Sequence, residues 1–207
     1  MLDELKDSII TGNEEKAKEL IQSLLAQGTA AKQLLDNGLI AGMDVVGQRF
    51  KTYEMYLPEV IMSATTMKSA MEILKPHLSK TDGVSLGKVI MATIEGDVHD
   101  IGKNLVSMML EGAGFQVVDL GVDVSVEKII AAAAEESADI VGISALLTTT
   151  MVAMEPAIKM IREKHSRVKI MVGGSPITQE YADKIKADGF APDALRAVNL
   201  AKSLLKN

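Results

Sequence analysis

His99 is one of only three histidines in 207 residues, and it stands among groups that could put an imidazole to chemical use. Asp97 lies two residues before it and Gly102 three after, within Glu95-Gly96-Asp97-Val98-His99-Asp100-Ile101-Gly102-Lys103-Asn104. An imidazole at a loop tip can hold a metal through Nε2 while a carboxylate accepts its Nδ1 proton. That second bond fixes the tautomer and raises the basicity of the ligating nitrogen. Asp97 is spaced to be that carboxylate, and Gly102 would let a helix begin close beneath something bulky. Two further runs carry small or hydroxyl side chains: Ser144-Ala145-Leu146-Leu147-Thr148-Thr149-Thr150 and Gly173-Gly174-Ser175. Ser144, Thr148 and Thr150 supply hydroxyls of little volume. Gly173 and Gly174 remove side chains where something must approach the backbone.

All three runs directly follow apolar segments that read as buried strands, over 89–93, 140–144 and 168–172. Another strand is expected at 115–119, and a very short fifth near Phe190-Ala191. Helical periodicity falls near 101–112, 125–137, 151–164, 177–187 and 193–205. Such alternation predicts βαβ crossovers and a parallel sheet covered on both faces. In a sheet of order 2-1-3-4-5, strands 1, 3 and 4 are neighbours, so the three runs share one edge. That edge carries the switch-point crevice in which such sheets bind ligands.

The first 80 residues show no strand pattern. A short helix is expected at Leu2 to Ile10. Gly12 or Asn13 opens a second helix with Ala17, Leu20, Ile21, Leu24 and Leu25 inward, and Gly28 can stop it. Thr29 opens a third, burying Leu34, Leu35, Leu39, Ile40, Met43 and Val46, before a polar and aromatic break over 48–56. The last begins at Leu57-Pro58 and runs through Val60, Ile61, Ala64, Met67, Met71 and Leu74, with Pro76 disturbing its end. The expected fold is therefore α/β: a four-helix bundle cap over 1–80, a linker over 81–87, and a Rossmann-like (flavodoxin-like) doubly wound parallel sheet over 88–207.

Composition narrows the function. With no cysteine, disulfides, thiolate metal sites and cysteine nucleophiles are excluded, which suits a reducing cytoplasm. The charged N-terminus lacks the apolar core of a signal peptide, and no apolar run approaches the ~20 residues that span a bilayer. A net charge of −6 without a basic cluster, and 3% aromatic residues, argue against nucleic acid as a partner. The 13 methionines suit adaptable cores or docking surfaces.

Asp97-x-His99-x-x-Gly102, then 41 residues, Ser144-x-Leu146, then 26 residues, Gly173-Gly174 resembles the signature of cobalamin-binding domains that hold the cofactor base-off and His-on. The N-terminal half, through Gly42-Met43-x-Val45-Val46-Gly47-x-x-Phe50 and Tyr56-Leu57-Pro58-Glu59-Val60, is similar to the cap of methionine synthase and of small corrinoid proteins in anaerobic methyltransferase systems. The resemblance implies cobalamin or a related cobamide, alternating between methylcob(III)alamin and cob(I)alamin. It makes His99 the axial ligand to cobalt, hydrogen-bonded to Asp97, with Thr150 completing a relay where a family member has serine. It places Asp100, Ile101, Gly102, Ser144, Leu146, Thr148, Gly173 and Gly174 around the cofactor and its nucleotide tail, and Phe50 and Leu57 over the methyl-bearing face. It implies a cytoplasmic methyl carrier, not catalytic alone, that serves a substrate:corrinoid methyltransferase and a corrinoid:acceptor methyltransferase (folate or thiol), kept active by a corrinoid reductive-activation protein. Neither nucleic acid nor membrane is expected as a partner. The alternatives are a mutase cobalamin subunit, a cobalamin-binding sensor, and a flavodoxin-like nucleotide or metal-ion binder.

Overall fold

Val89 to Thr93 are buried without alternation, as befits a strand covered on both faces. This strand, β1 (Lys88–Thr93), lies in a five-stranded parallel sheet with β2 (Gln116–Asp119), β3 (Ile140–Ser144), β4 (Lys169–Gly173) and β5 (Gly189–Ala191), in the order β2-β1-β3-β4-β5. The order and the five strands agree with the sequence expectation. The register aligns Thr93, Ser144, Gly173 and Ala191 in one row at the carboxyl ends. Between the strands run α6 (Ile101–Gly112), α7 (Val126–Glu135), α8 (Thr148–Met151), α9 (Met154–Lys164) and α10 (Gln179–Lys184), and α11 (Ala194–Leu204) follows β5. One core face packs Ile90, Ala92, Val141, Ile143, Ile170 and Val172 against Ile129, Met154, Ile158 and Ile161.

The computed structural model describes residues 1–78 and 85–206. Positions 81–84 of the expected linker therefore lie outside the described residues. Cα proximity divides the chain into two units: Met1–Ser85 with Glu111–Gly114, and Leu86–Leu110 with Phe115–Asn207.

The helical unit contains α1 (Leu2–Ile10), α2 (Glu14–Ala26), α3 (Ala31–Leu34), α4 (Ala41–Lys51) and α5 (Leu57–Leu74). Asn13 caps α2 by accepting from the Lys16 amide at 3.1 Å, and Glu59 accepts from the Tyr56 amide at 2.8 Å ahead of α5. Leu5, Ile9, Ile21, Leu34, Leu39, Met67 and Leu74 form its fully buried centre.

Several local expectations change. The third helix opens at Ala31 behind Ala30, not at Thr29, and a π-helical turn over Leu35–Ile40 joins α3 to α4. Gly38 in that turn lies against α1, where an added Cβ would come within 2.7 Å of Leu5. The break begins at Thr52, because α4 continues through Arg49 and Lys51, cations that favour a helix C-terminus. Ile61 is exposed, whereas Pro76 does end α5 in a 3₁₀ turn. In the sheet unit Thr148–Met151 is a helical turn of its own, since Leu147 carries its first accepting carbonyl. Helix α10 is short: Thr178 caps it at one end, and Lys186 adopts φ +61° just beyond the other.

Candidate functional site

The loop between β1 and α6 carries Asp97 and His99 at the carboxyl edge of the sheet. Asp97 is 0% exposed and accepts from five donors. His99 Nδ1 lies 2.8 Å from Oδ1, and the His99 amide donates to the same oxygen at 3.1 Å. Oδ2 takes Thr150 Oγ1 at 2.6 Å and the amides of Leu146 and Leu147 at 2.8 and 3.3 Å. Burial by itself pushes this carboxyl upward. The hydrogen bonds from Thr150, Leu146 and His99 outweigh it and hold Asp97 well below the usual carboxylate range. The anion so fixed orients an imidazole that is itself 45% exposed.

Asp97, His99 and Thr150 thus meet in one chain of hydrogen bonds. The one-turn helix α8 delivers Thr150, and its methyl carbon lies over Gly96, 3.6 Å from where a Cβ would stand. The threonine therefore keeps the hydroxyl contact without crowding the loop. Asp100 precedes α6, and its carboxylate accepts from the Asn104 side chain at 3.0 Å. Ile101 and Gly102 form the exposed first residues of α6, Leu146 and Thr148 are exposed after β3, and Ser144 ends β3. Gly173 ends β4. Gly174 follows with φ +120°, and a Cβ there would stand 1.9 Å from the Ala145 carbonyl oxygen. What approaches Gly174 is thus the chain itself, which binds the second and third runs together. Phe50 lies in the last turn of α4 and Leu57 opens α5, both in the helical unit.

Three features escaped the sequence reading. Thr93, fully buried at the end of β1, donates from Oγ1 to the His99 carbonyl at 3.0 Å. Asp123, at φ +52°, accepts from the Gly96 amide at 2.7 Å, and its own amide donates to the Asp97 carbonyl at 2.9 Å. Lys103, 3% exposed, bonds to Asp119 and, at 2.7 Å, to Asn104 Oδ1. Lys103 had a signal in its sequence: it sits three, four and seven residues before Val106, Ser107 and Leu110, on the apolar side of α6. The polar Thr93 closing an apolar strand was a weaker one.

The site suits a metal that arrives inside a macrocycle. Among the described residues no group of three or more His, Asp or Glu side chains could chelate a bare ion, so His99 offers a single donor. Large apolar side chains lie exposed on the two segments that meet at Asp97: Val98 and Ile101 are 68% and 80% exposed, Leu146 and Leu147 44% and 41%. Exposed apolar groups clustered around one polar ligand mark a binding surface. At Gly102 an added Cβ would meet no atom within 4 Å and φ is not positive, so neither packing nor backbone conformation of the chain requires glycine there. A flat ligand lying against the start of α6 would.

Comparison with known proteins agrees with this geometry. A family described as B12 binding domain matches residues 87–199, and a second family of the same description matches residues 1–75. A corrinoid protein of Desulfitobacterium hafniense is 45% identical, over 99% of this chain and 97% of that protein. Dimethylamine corrinoid protein 3 of Methanosarcina acetivorans is 42% identical, over 99% of this chain and 97% of its own. The crystal structure of the methanol:cobalamin methyltransferase complex of Methanosarcina barkeri contains a chain with TM-score 0.90 and 31% identity, over 100% of this chain and 80% of that one.

Proposed function

The chain belongs to the B12-binding domain family of corrinoid proteins, and from that premise we propose that it carries a methyl group on a corrinoid between separate methyltransferases, with His99 as the axial ligand in place of the cofactor's own base. The observation that carries this reading is the exposed imidazole locked at Nδ1 by a buried, ionised Asp97, with exposed apolar side chains on the two segments that meet there. When bound, the corrinoid supplies a cobalt that accepts and releases the methyl group.

The protein's residues do the rest. Asp97 keeps the proton of His99 at Nδ1 and leaves Nε2 as a donor, while Thr150 and the amides of Leu146 and Leu147 keep Asp97 anionic. Proton uptake by the Asp97–His99 pair would weaken that donor and favour release of the ligand. Asp100, Ile101 and Gly102 would lie against the macrocycle. Ser144, Leu146, Thr148, Gly173 and Gly174 would line the path of the displaced nucleotide tail. Phe50 and Leu57 would keep water from the methyl-bearing face.

The partners follow from the carrier role and from the relatives' names. One methyltransferase would load the methyl group from a methylamine, methanol or a similar small donor, and a second would pass it to a folate-type or thiol acceptor. A reductive-activation protein would rescue oxidised cofactor, and a cytoplasmic location fits such partners. Among the described residues no helix is long and apolar enough to cross a membrane. The test is to reconstitute the protein with cobalamin, reduce it chemically to cob(I)alamin, and follow its absorption spectrum as a methylamine or methanol and the cognate methyltransferase are added. Methyl loading that requires both supports the carrier role. A spectrum that responds only to light would overturn it in favour of a sensor.

A further inference from the structure

We propose that Thr93 is a positioning residue for His99, fixing the main chain of the ligand loop and tying it to Ser144 on the neighbouring strand. The axial role of His99 in this statement rests on the function proposed above. Thr93 is 0% exposed, and its hydroxyl lies 3.0 Å from two partners, the His99 carbonyl and Ser144 Oγ. A carbonyl can only accept, so the single Thr93 proton goes to His99. The proton between the two hydroxyls must then come from Ser144. The result is a directed chain, Ser144 O–H to Thr93 O–H to O=C of His99, built on the register pair Thr93 and Ser144.

Asp97 and Thr93 act on different parts of the same residue. Asp97 holds the ring and the amide of His99, and Thr93 holds its carbonyl. Ring orientation alone does not set where Nε2 stands, because the loop can still shift as a whole. The Thr93 hydroxyl restricts that shift. It also commits the Ser144 proton, so a change at the expected nucleotide-tail pocket is felt at the ligand loop. Valine would keep the branched shape and strand preference of position 93 while leaving the His99 carbonyl and the Ser144 hydroxyl without their partner.

The experiment compares wild type, Thr93→Val, Thr93→Ser and Ser144→Ala. In cofactor-free protein, hydrogen exchange of the His99 amide should accelerate about tenfold in T93V, the effect of losing one buried hydrogen bond. It should return to near the wild-type rate in T93S and accelerate roughly threefold in S144A, which keeps the Thr93–His99 bond. In cob(II)alamin-loaded protein, the electron spin resonance splitting from an axial nitrogen should weaken in T93V and recover in T93S. A wild-type exchange rate in T93V, or failure of serine to restore it, would overturn the assignment. Should T93V not fold, S144A and T93S decide: S144A no faster than wild type, or T93S accelerated about tenfold, overturns it. The exchange measurement needs no cofactor. A loaded wild type lacking nitrogen splitting would therefore count against the axial-ligand reading, while the exchange rates still judge Thr93.

Discussion

The behaviour of Asp97 with pH follows from its five donors. A carboxyl held below its ordinary value stabilises the fold fully above that value, near pH ~4, and loses the contribution as pH falls through the folded value. Wild type should therefore exceed Asp97→Asn in urea midpoint at about pH 7, and the gap should narrow by about pH 3. A gap that widens toward acid would contradict the hydrogen-bond account. Thr150 donates to an ionised group, so Thr150→Val should lose roughly 1.5–3 kcal/mol in the cofactor-free protein, with Thr150→Ser near wild type. Denaturant titration measures both. The Asp97–His99 pair was legible in the sequence because its spacing within one loop is local. Asp123 and the Thr93–Ser144 contact were not, because those bonds depend on which strands become neighbours.

Strand ends and helix starts separate two uses of glycine that the sequence does not distinguish. Gly174 has φ +120° and sits against the Ala145 carbonyl, so Gly174→Ala should destabilise the protein by more than ~3 kcal/mol, read from denaturant unfolding. Gly102 meets neither constraint. Gly102→Ala should leave the cofactor-free protein as stable or up to ~1 kcal/mol more so, because alanine favours a helix. The same change should weaken cobalamin binding at least about tenfold in an equilibrium titration. Helix α6 also buries Lys103 against Asp119, and Lys103→Met should lower unfolding stability by only about 1 kcal/mol, because Asp119 is 35% exposed and water solvates the carboxylate left without its cation. The expected elements were right wherever apolar periodicity was long, as in β1, β3 and α6. They failed at α8 and at the π-turn over Leu35–Ile40. Both are single turns shaped by hydrogen bonds or by contact with α1, and neither leaves a periodic trace.

For the whole molecule, the alternation of apolar runs with amphipathic helices was enough to read a parallel sheet. The order β2-β1-β3-β4-β5 then brought three sequence-distant runs to one edge. The proposed function depends on that convergence: a ring held by one run, anchored through a hydroxyl and two amides from the second, which is itself packed on a glycine of the third. What the molecule would do with this edge reduces to one bond, from His99 Nε2 to a corrinoid cobalt. The most direct measurement is the electron spin resonance spectrum of the cob(II)alamin-loaded protein, prepared once with ordinary histidine and once with histidine carrying ¹⁵N in its ring. The axial nitrogen splitting should change from a triplet to a doublet on labelling and vanish in His99→Ala. A triplet that survives both changes would show that the nitrogen belongs to the cofactor's own base, and would contradict the account.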